Sequence, residues 1–222
     1  MASTPQLLSK AGKMALQHAN AQAAAAQIAY FRAIPWCAAH LANPNLVIDQ
    51  SVSRRLSLTP RDTLLSRALN TIDAIPAYIT FFTPLPPSPS PSPSPADSHS
   101  GPALIKEVKS FIALGPMLNG WEGICHGGMV VTMLDEVMGQ VFTANKTQGL
   151  MVNIPVMTGY LNTRFEKPVR TGSAEQASVV LVTGRMVRHE GRKYWMEGDV
   201  RGEDGVVLAR AEAMFVMLKA KF

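Results

Sequence analysis

Beyond residue 102 the apolar positions fall into short runs punctuated by glycine, and one segment inside them keeps a different period. Residues 104–114 read as a strand, and four more strands are predicted around 150–165, 175–188, 193–202 and 206–218. Glu190-Gly191 and Asp204-Gly205 fall between alternating runs, where tight hairpins need them. Between the first strand and the rest, Met129, Val130, Met133, Leu134, Val137, Met138 and Val141 recur at spacings of three and four. That spacing predicts a helix through 132–142 that is apolar on more than one face. Such a helix must be enclosed, and a following antiparallel sheet is the natural wrapper.

Upstream the texture changes three times. Residues 1–27 lie within a stretch, 1–48, that has no Asp or Glu but carries Lys10, Lys13 and Arg32 in an Ala- and Gln-rich background. They read as a low-complexity helix or a targeting segment similar to a mitochondrial presequence. Residues 28–82 hold Phe31, Ile34, Trp36, Leu41, Leu64, Leu65, Leu69, Phe81 and Phe82 between turn signals, and read as a helical extension packed on the main domain. Residues 83–102, with the Ser-Pro alternation from Ser88 to Pro95, read as a linker or loop, because proline removes the backbone donor. The domain itself is placed at 103–218.

Composition narrows the class. With 222 residues, 47% hydrophobic and 17% charged, the chain can bury one sizeable core with appendages. No apolar run reaches the ~18 residues of a membrane-spanning helix, so no membrane span is expected. Cys37 and Cys125 lie far apart and suggest neither a disulfide framework nor a metal site, so a cytoplasmic location is expected, with the mitochondrion as alternative. The net charge of +5 suits a polyanion or the phosphates of a coenzyme. No basic run interleaves with aromatics and no zinc-finger or basic-zipper pattern occurs, so no nucleic acid is expected as partner.

The chemistry concentrates around the helix. A helix N-terminus presents unpaired N–H groups and the positive end of its dipole, and glycines there let a carbonyl approach the backbone. Gly127 and Gly128 are therefore candidates to polarise a carbonyl oxygen. Asp135 interrupts an apolar helix, where a carboxylate is costly unless paired or used. Glu136 is expected to point about 100° away around the helix axis, and is the weaker catalytic candidate. Cys125 and His126 are sequence neighbours whose side chains diverge, which makes a poor nucleophilic pair.

The ordered text Leu118-Asn119-Gly120-Trp121-Glu122-Gly123-Ile124-Cys125-His126-Gly127-Gly128, Thr132-Met133-Leu134-Asp135, Met157-Thr158-Gly159-Tyr160-Leu161-Asn162, Lys167-Pro168-Val169 and Glu190-Gly191-Arg192-Lys193 resembles the hotdog-fold thioesterases. Within them it is similar to the phenylacetate-degradation and carboxyl-terminal-modulator branch, over about half the chain. The resemblance implies an α+β hotdog fold, an antiparallel sheet wrapped around a central helix, here with a helical N-terminal extension. It implies hydrolysis of an acyl-CoA or acyl-carrier thioester without a cofactor or metal, in a homodimer or homotetramer. Asp135 would be general base or nucleophile, Gly127 and Gly128 the oxyanion site and Thr158 the orienting hydroxyl. His126 and Asn119 would shape the substrate site, and Lys167 and Arg192 would meet coenzyme phosphates. One departure stands out: some relatives carry Asn where this chain has Gly120, with Asn119 one position off. The Asp and His motif of the hotdog hydratases is absent. A non-catalytic acyl-thioester-binding or protein-interaction module with the same fold is the alternative.

Overall fold

The computed structural model describes residues 10–57, 61–86, 103–173 and 175–219. The Ser-Pro tract and the first nine residues, part of the expected targeting segment, lie outside them.

The predicted inner helix is α3, Gly127–Thr147. Its neighbours are the strands β3 (Glu107–Leu114), β6 (Val156–Phe165), β7 (Ser178–Glu190), β8 (Lys193–Arg201) and β9 (Val207–Met217). They form one antiparallel sheet in which β7, β8 and β9 follow as hairpins. Gly191 and Gly205 take the positive φ that those turns demand. Val130, Leu134, Val137, Met138 and Val141 of α3 are buried against Val108, Ile112, Val182, Met196, Val200 and Phe215 on the sheet's inner face. The helix sits deep because Gly184 and Gly198 are paired across β7 and β8. A Cβ on Gly184 would come within 2.8 Å of the Met138 backbone. At the far end Asn145 is fully buried and fixes the helix to the approach of β3, accepting from the Ile105 N–H and donating to its carbonyl, both at 2.9 Å. This is the hotdog arrangement that the periodicity and the resemblance predict.

The upstream segment differs from its purely helical reading. It begins with α1 (Lys10–Arg32) and α2 (Pro35–His40), but then adds β1 (Val47–Gln50) and β2 (Tyr78–Phe82) to the same sheet. The seven strands run β1-β2-β3-β7-β8-β9-β6. The physical reason lies in β2, a Tyr-Ile-Thr-Phe-Phe run of β-branched and aromatic residues that is buried on both faces and so shows no alternation. The sheet therefore extends outside the 103–218 boundary.

This flank has its own core. Phe31 and Cys37 pack on Ile79, Phe81, Phe111 and Ala113, on the sheet face opposite α3. Phe31 stacks on Phe111 with ring centroids 5.6 Å apart. Gln27 accepts from the Tyr78 N–H, tying α1 to β2. Between β1 and β2 the chain crosses to the α3 side. Arg54, only 1% exposed, donates to the carbonyls of Leu65, Leu69 and Ile75 and so pins that crossing. Both cysteines are free thiols, and burial pushes them up, Cys37 to about 12 and Cys125 to about 11. Among the described residues no helix is long and apolar enough to cross a membrane, and no group of acidic, His or Cys side chains is placed to hold a metal.

Candidate active site

Two sets of residues mark two levels of α3, its N-terminus and its middle. At its N-terminus, β4 (Asn119–Trp121) and β5 (Ile124–Cys125) form a small hairpin turned at Gly123, which has φ +67°. The hairpin delivers His126 as the helix N-cap. Its Nδ1 accepts from the Gly128 N–H at 3.0 Å, and its carbonyl accepts from Met129 and Val130. Gly120 is needed beneath it, because a Cβ there would meet the His126 Cα at 2.8 Å. His126 is thus a cap, and it engages one of the two N–H groups that the sequence assigns to a carbonyl oxygen. Gly127 keeps its N–H without a partner among the described residues, as the first residue of a helix must. Of the glycine pair, Gly127 is the one whose donor remains for a ligand.

Eight positions along, about 12 Å of helix rise, Asp135 is half-buried at the seam between α3 and β6. Thr158 on β6 donates its hydroxyl to Asp135 Oδ1 at 2.7 Å. Oδ2 is left for another donor. The two residues face a cleft of about 210 Å³, whose other walls include Glu136, Gln140 and Phe215 together with Val52, Ser53 and Asp62 of the upstream crossing.

Glu136 does not turn away from this cleft as its position after Asp135 predicts. The cleft lies in the seam between the sheet edge and the upstream crossing, and the seam is wide enough for both carboxyls. Burial raises Glu136 above the ordinary carboxylate range, reinforced by the Asp62 and Asp135 charges and opposed by hydrogen bonds to Ser53 and Gln140. Gln140 donates to Glu136 Oε1 at 2.6 Å.

The remaining candidates lie apart from this pair. Asn119 accepts from Thr171 Oγ1 at 2.5 Å, on the hairpin at the glycine end. Lys167 is exposed beyond the end of β6, its backbone N–H bound to the Leu208 carbonyl. Arg192, in the β7–β8 turn, donates to the Met217 carbonyl at 2.9 Å. One protomer therefore brings together Asp135 and Thr158, and holds Gly127, Gly128, His126 and Asn119 at the helix N-terminus, about two turns away. Ser53, Asp62 and Gln140 had no local motif to announce them; the polar face that Glu136, Gln140 and Thr143 make on an apolar helix is the one signal in the sequence.

A larger concavity, about 460 Å³, opens on the outer sheet face among Arg164, Arg185, Asp199 and Arg210. Asp199 there accepts from Arg185 and Arg201, and Arg210 faces Glu166, while Arg164, Glu197 and Glu212 line it without a partner among the described residues.

Comparison with known proteins bears on the same region. The family described as thioesterase superfamily matches residues 122–209. Acyl-coenzyme A thioesterase THEM4 of Bos taurus is 34% identical over 105 residues, 47% of this chain and 38% of that protein. Verlamelin biosynthesis protein B of a Lecanicillium species is 30% identical over 141 residues, 54% of this chain and 58% of that protein. The chain thus matches well under two thirds of either relative's length. Among solved structures, a protein of Streptococcus pneumoniae described as a hypothetical thioesterase, with coenzyme A, aligns at a TM-score of 0.44 and 15% identity, covering 53% of this chain and 85% of that one. The match to the thioesterase superfamily at 122–209 spans α3 and the strands β6, β7 and β8, with Asp135 and Thr158 inside it.

Proposed function

We propose that this protein hydrolyses an acyl thioester, of coenzyme A or of a carrier protein, to the free acid and the thiol, in a site shared between two copies of the chain. The observation that carries this reading is the Thr158–Asp135 hydrogen bond at the mouth of a cleft, inside the segment that matches the thioesterase superfamily. Thr158 holds one carboxylate oxygen and leaves the other to take the proton of a water molecule. The water oxygen adds to the thioester carbon, the carbonyl oxygen gathers charge against a helix-terminal N–H, and the tetrahedral intermediate collapses with release of the thiolate, which recovers the proton.

The N–H cannot come from the same protomer, since Gly127 lies about 12 Å of helix rise from Asp135. A second copy supplies it naturally. β6 is the free edge of the sheet, and Met157, Tyr160 and Phe165 on it are 52%, 43% and 56% exposed. Gly127 sits by Phe165 near one end of β6, and Asp135 bonds Thr158 near the other. Antiparallel pairing of two β6 edges about a two-fold axis at Leu161–Asn162 would set Thr158 of one copy opposite Phe165 of the next. That pairing brings the partner's glycine turn to Asp135 twice over, once for each site.

Thiol release from a panel of short to long acyl-CoAs, by the wild type and by Asp135→Ala, tests the activity. The reading expects clear wild-type turnover, lost on the order of a thousandfold in a variant that circular dichroism finds folded. A wild type that binds acyl-CoA and hydrolyses neither it nor an acyl-carrier thioester would replace this reading with that of a binding module.

A further inference from the structure

The cleft beside Asp135 is not built for a plain hydrocarbon. It runs along the α3 face made by Glu136, Gly139, Gln140 and Thr143, at helical spacings of three and four, for about 10 Å. The other faces of this helix that meet the core are apolar, apart from Asn145 in its last turns. Its roof is Ser53 of the upstream crossing, whose hydroxyl lies 3.0 Å from that of Ser51, both buried. Gln140 is also buried, and its amide donates to only one oxygen of Glu136. The floor and roof thus line one cleft with a carboxyl, an amide and hydroxyls, beside the apolar Val52, Val156 and Phe215.

Polar groups removed from water need partners, and an alkyl chain lying against these would supply none. On the reading of Asp135 as the hydrolytic carboxylate, we propose that this cleft receives the acyl group and selects one bearing a hydroxyl or keto oxygen, with Glu136 and Gln140 as its specificity-determining residues. Glu136 in its acid form, which the raised carboxyl favours, has an O–H to donate to that oxygen. The Gln140 side-chain carbonyl accepts from a hydroxyl in return. Arg54 keeps the roof in place through its three carbonyl contacts, so the cleft is a fixed feature of the chain.

The test compares butanoyl- and hexanoyl-CoA with their 3-hydroxy and terminally hydroxylated counterparts. The proposal expects kcat/KM to favour one hydroxylated series at least tenfold in the wild type, as expected when an unmatched substrate leaves buried polar groups unpaired. Glu136→Leu with Gln140→Leu should bring that ratio to about one. Glu136→Gln, which keeps donor and acceptor atoms, should retain most of it and guards against loss by misfolding. Equal or better turnover of the saturated substrates by the wild type overturns the proposal and leaves the hydrolase reading intact. Calorimetric binding of hydrolysis-resistant S-(2-oxoalkyl)-CoA analogues, plain against hydroxylated, gives the same ratio without turnover. If no thioester is hydrolysed the function fails, while a tenfold binding preference lost in the double variant still upholds the selectivity, and no preference removes it.

Discussion

At one end of the seven-stranded sheet, β1 lies under α1, with Asn20 clamping both the N–H and the carbonyl of Leu56 just beyond it. At the other end β6 is uncovered among the described residues, with three large apolar side chains exposed. The covered end has a hydrophobic core of its own. The bare end carries Thr158 and borders Asp135. An exposed strand edge invites pairing with another chain, and proteins usually blunt it. Here it is left open beside Asp135, and the glycine donor that the proposed site needs lies about two turns away on the same helix. One flank is closed over a core of its own, and in the proposed shared site the other is the surface through which two copies meet.

The sharpest way to break this contrast is to charge the bare edge. Tyr160→Lys with Phe165→Lys should convert the assembly to monomers by analytical ultracentrifugation and lower kcat on the order of a hundredfold, as loss of one oxyanion donor does elsewhere. Monomers with full activity would mean that each chain holds a complete site. At the covered end Phe31→Ala should cost about 4 kcal/mol in urea unfolding by emptying a fully buried aromatic site. Activity per folded molecule should persist, because Phe31 packs on the sheet face away from the cleft.

The smallest effect concerns pH. Because Glu136 has its pKa raised on folding, the native state holds the proton more tightly than the unfolded chain. Its favourable contribution is complete below the ordinary glutamate range and is lost as pH rises through the raised value. The groups facing it are Ser53 and Gln140, which hydrogen-bond it, and the carboxylates of Asp62 and Asp135, which oppose its charge. Glu136→Gln should flatten that part of the decline in urea midpoint with rising pH, while leaving the acid limb due to other carboxylates in place. An unchanged slope would place Glu136 in solvent rather than in the cleft.

Much of the inner half of the fold was legible in the chain. The three-and-four spacing of Met129 to Val141 and the glycine-marked hairpins report directly on an enclosed helix and an antiparallel sheet. The flank was not, for a reason specific to its strands. β1 has four residues, and β2 is buried on both faces, so neither shows the alternation that distinguishes a strand. In the site, the Asp135–Thr158 pair was visible as a motif. Its neighbours were not: Ser53 and Asp62 reach the cleft from more than seventy residues upstream, through a crossing held by Arg54. The His126–Gly128 bond, which decides between two adjacent glycine donors, is cap geometry that residue identities alone do not reveal.

The central claim is that Asp135 of one copy acts with the Gly127 N–H of another. Mixing inactive Asp135→Ala protein with inactive Gly127→Val protein, after dissociation and reassociation, measures it directly. In a shared site each mixed dimer regains one intact pair, so thiol release should recover to about a quarter of the wild-type rate. No recovery, in mixed dimers verified to have formed, would contradict the account and place both groups' action within a single chain.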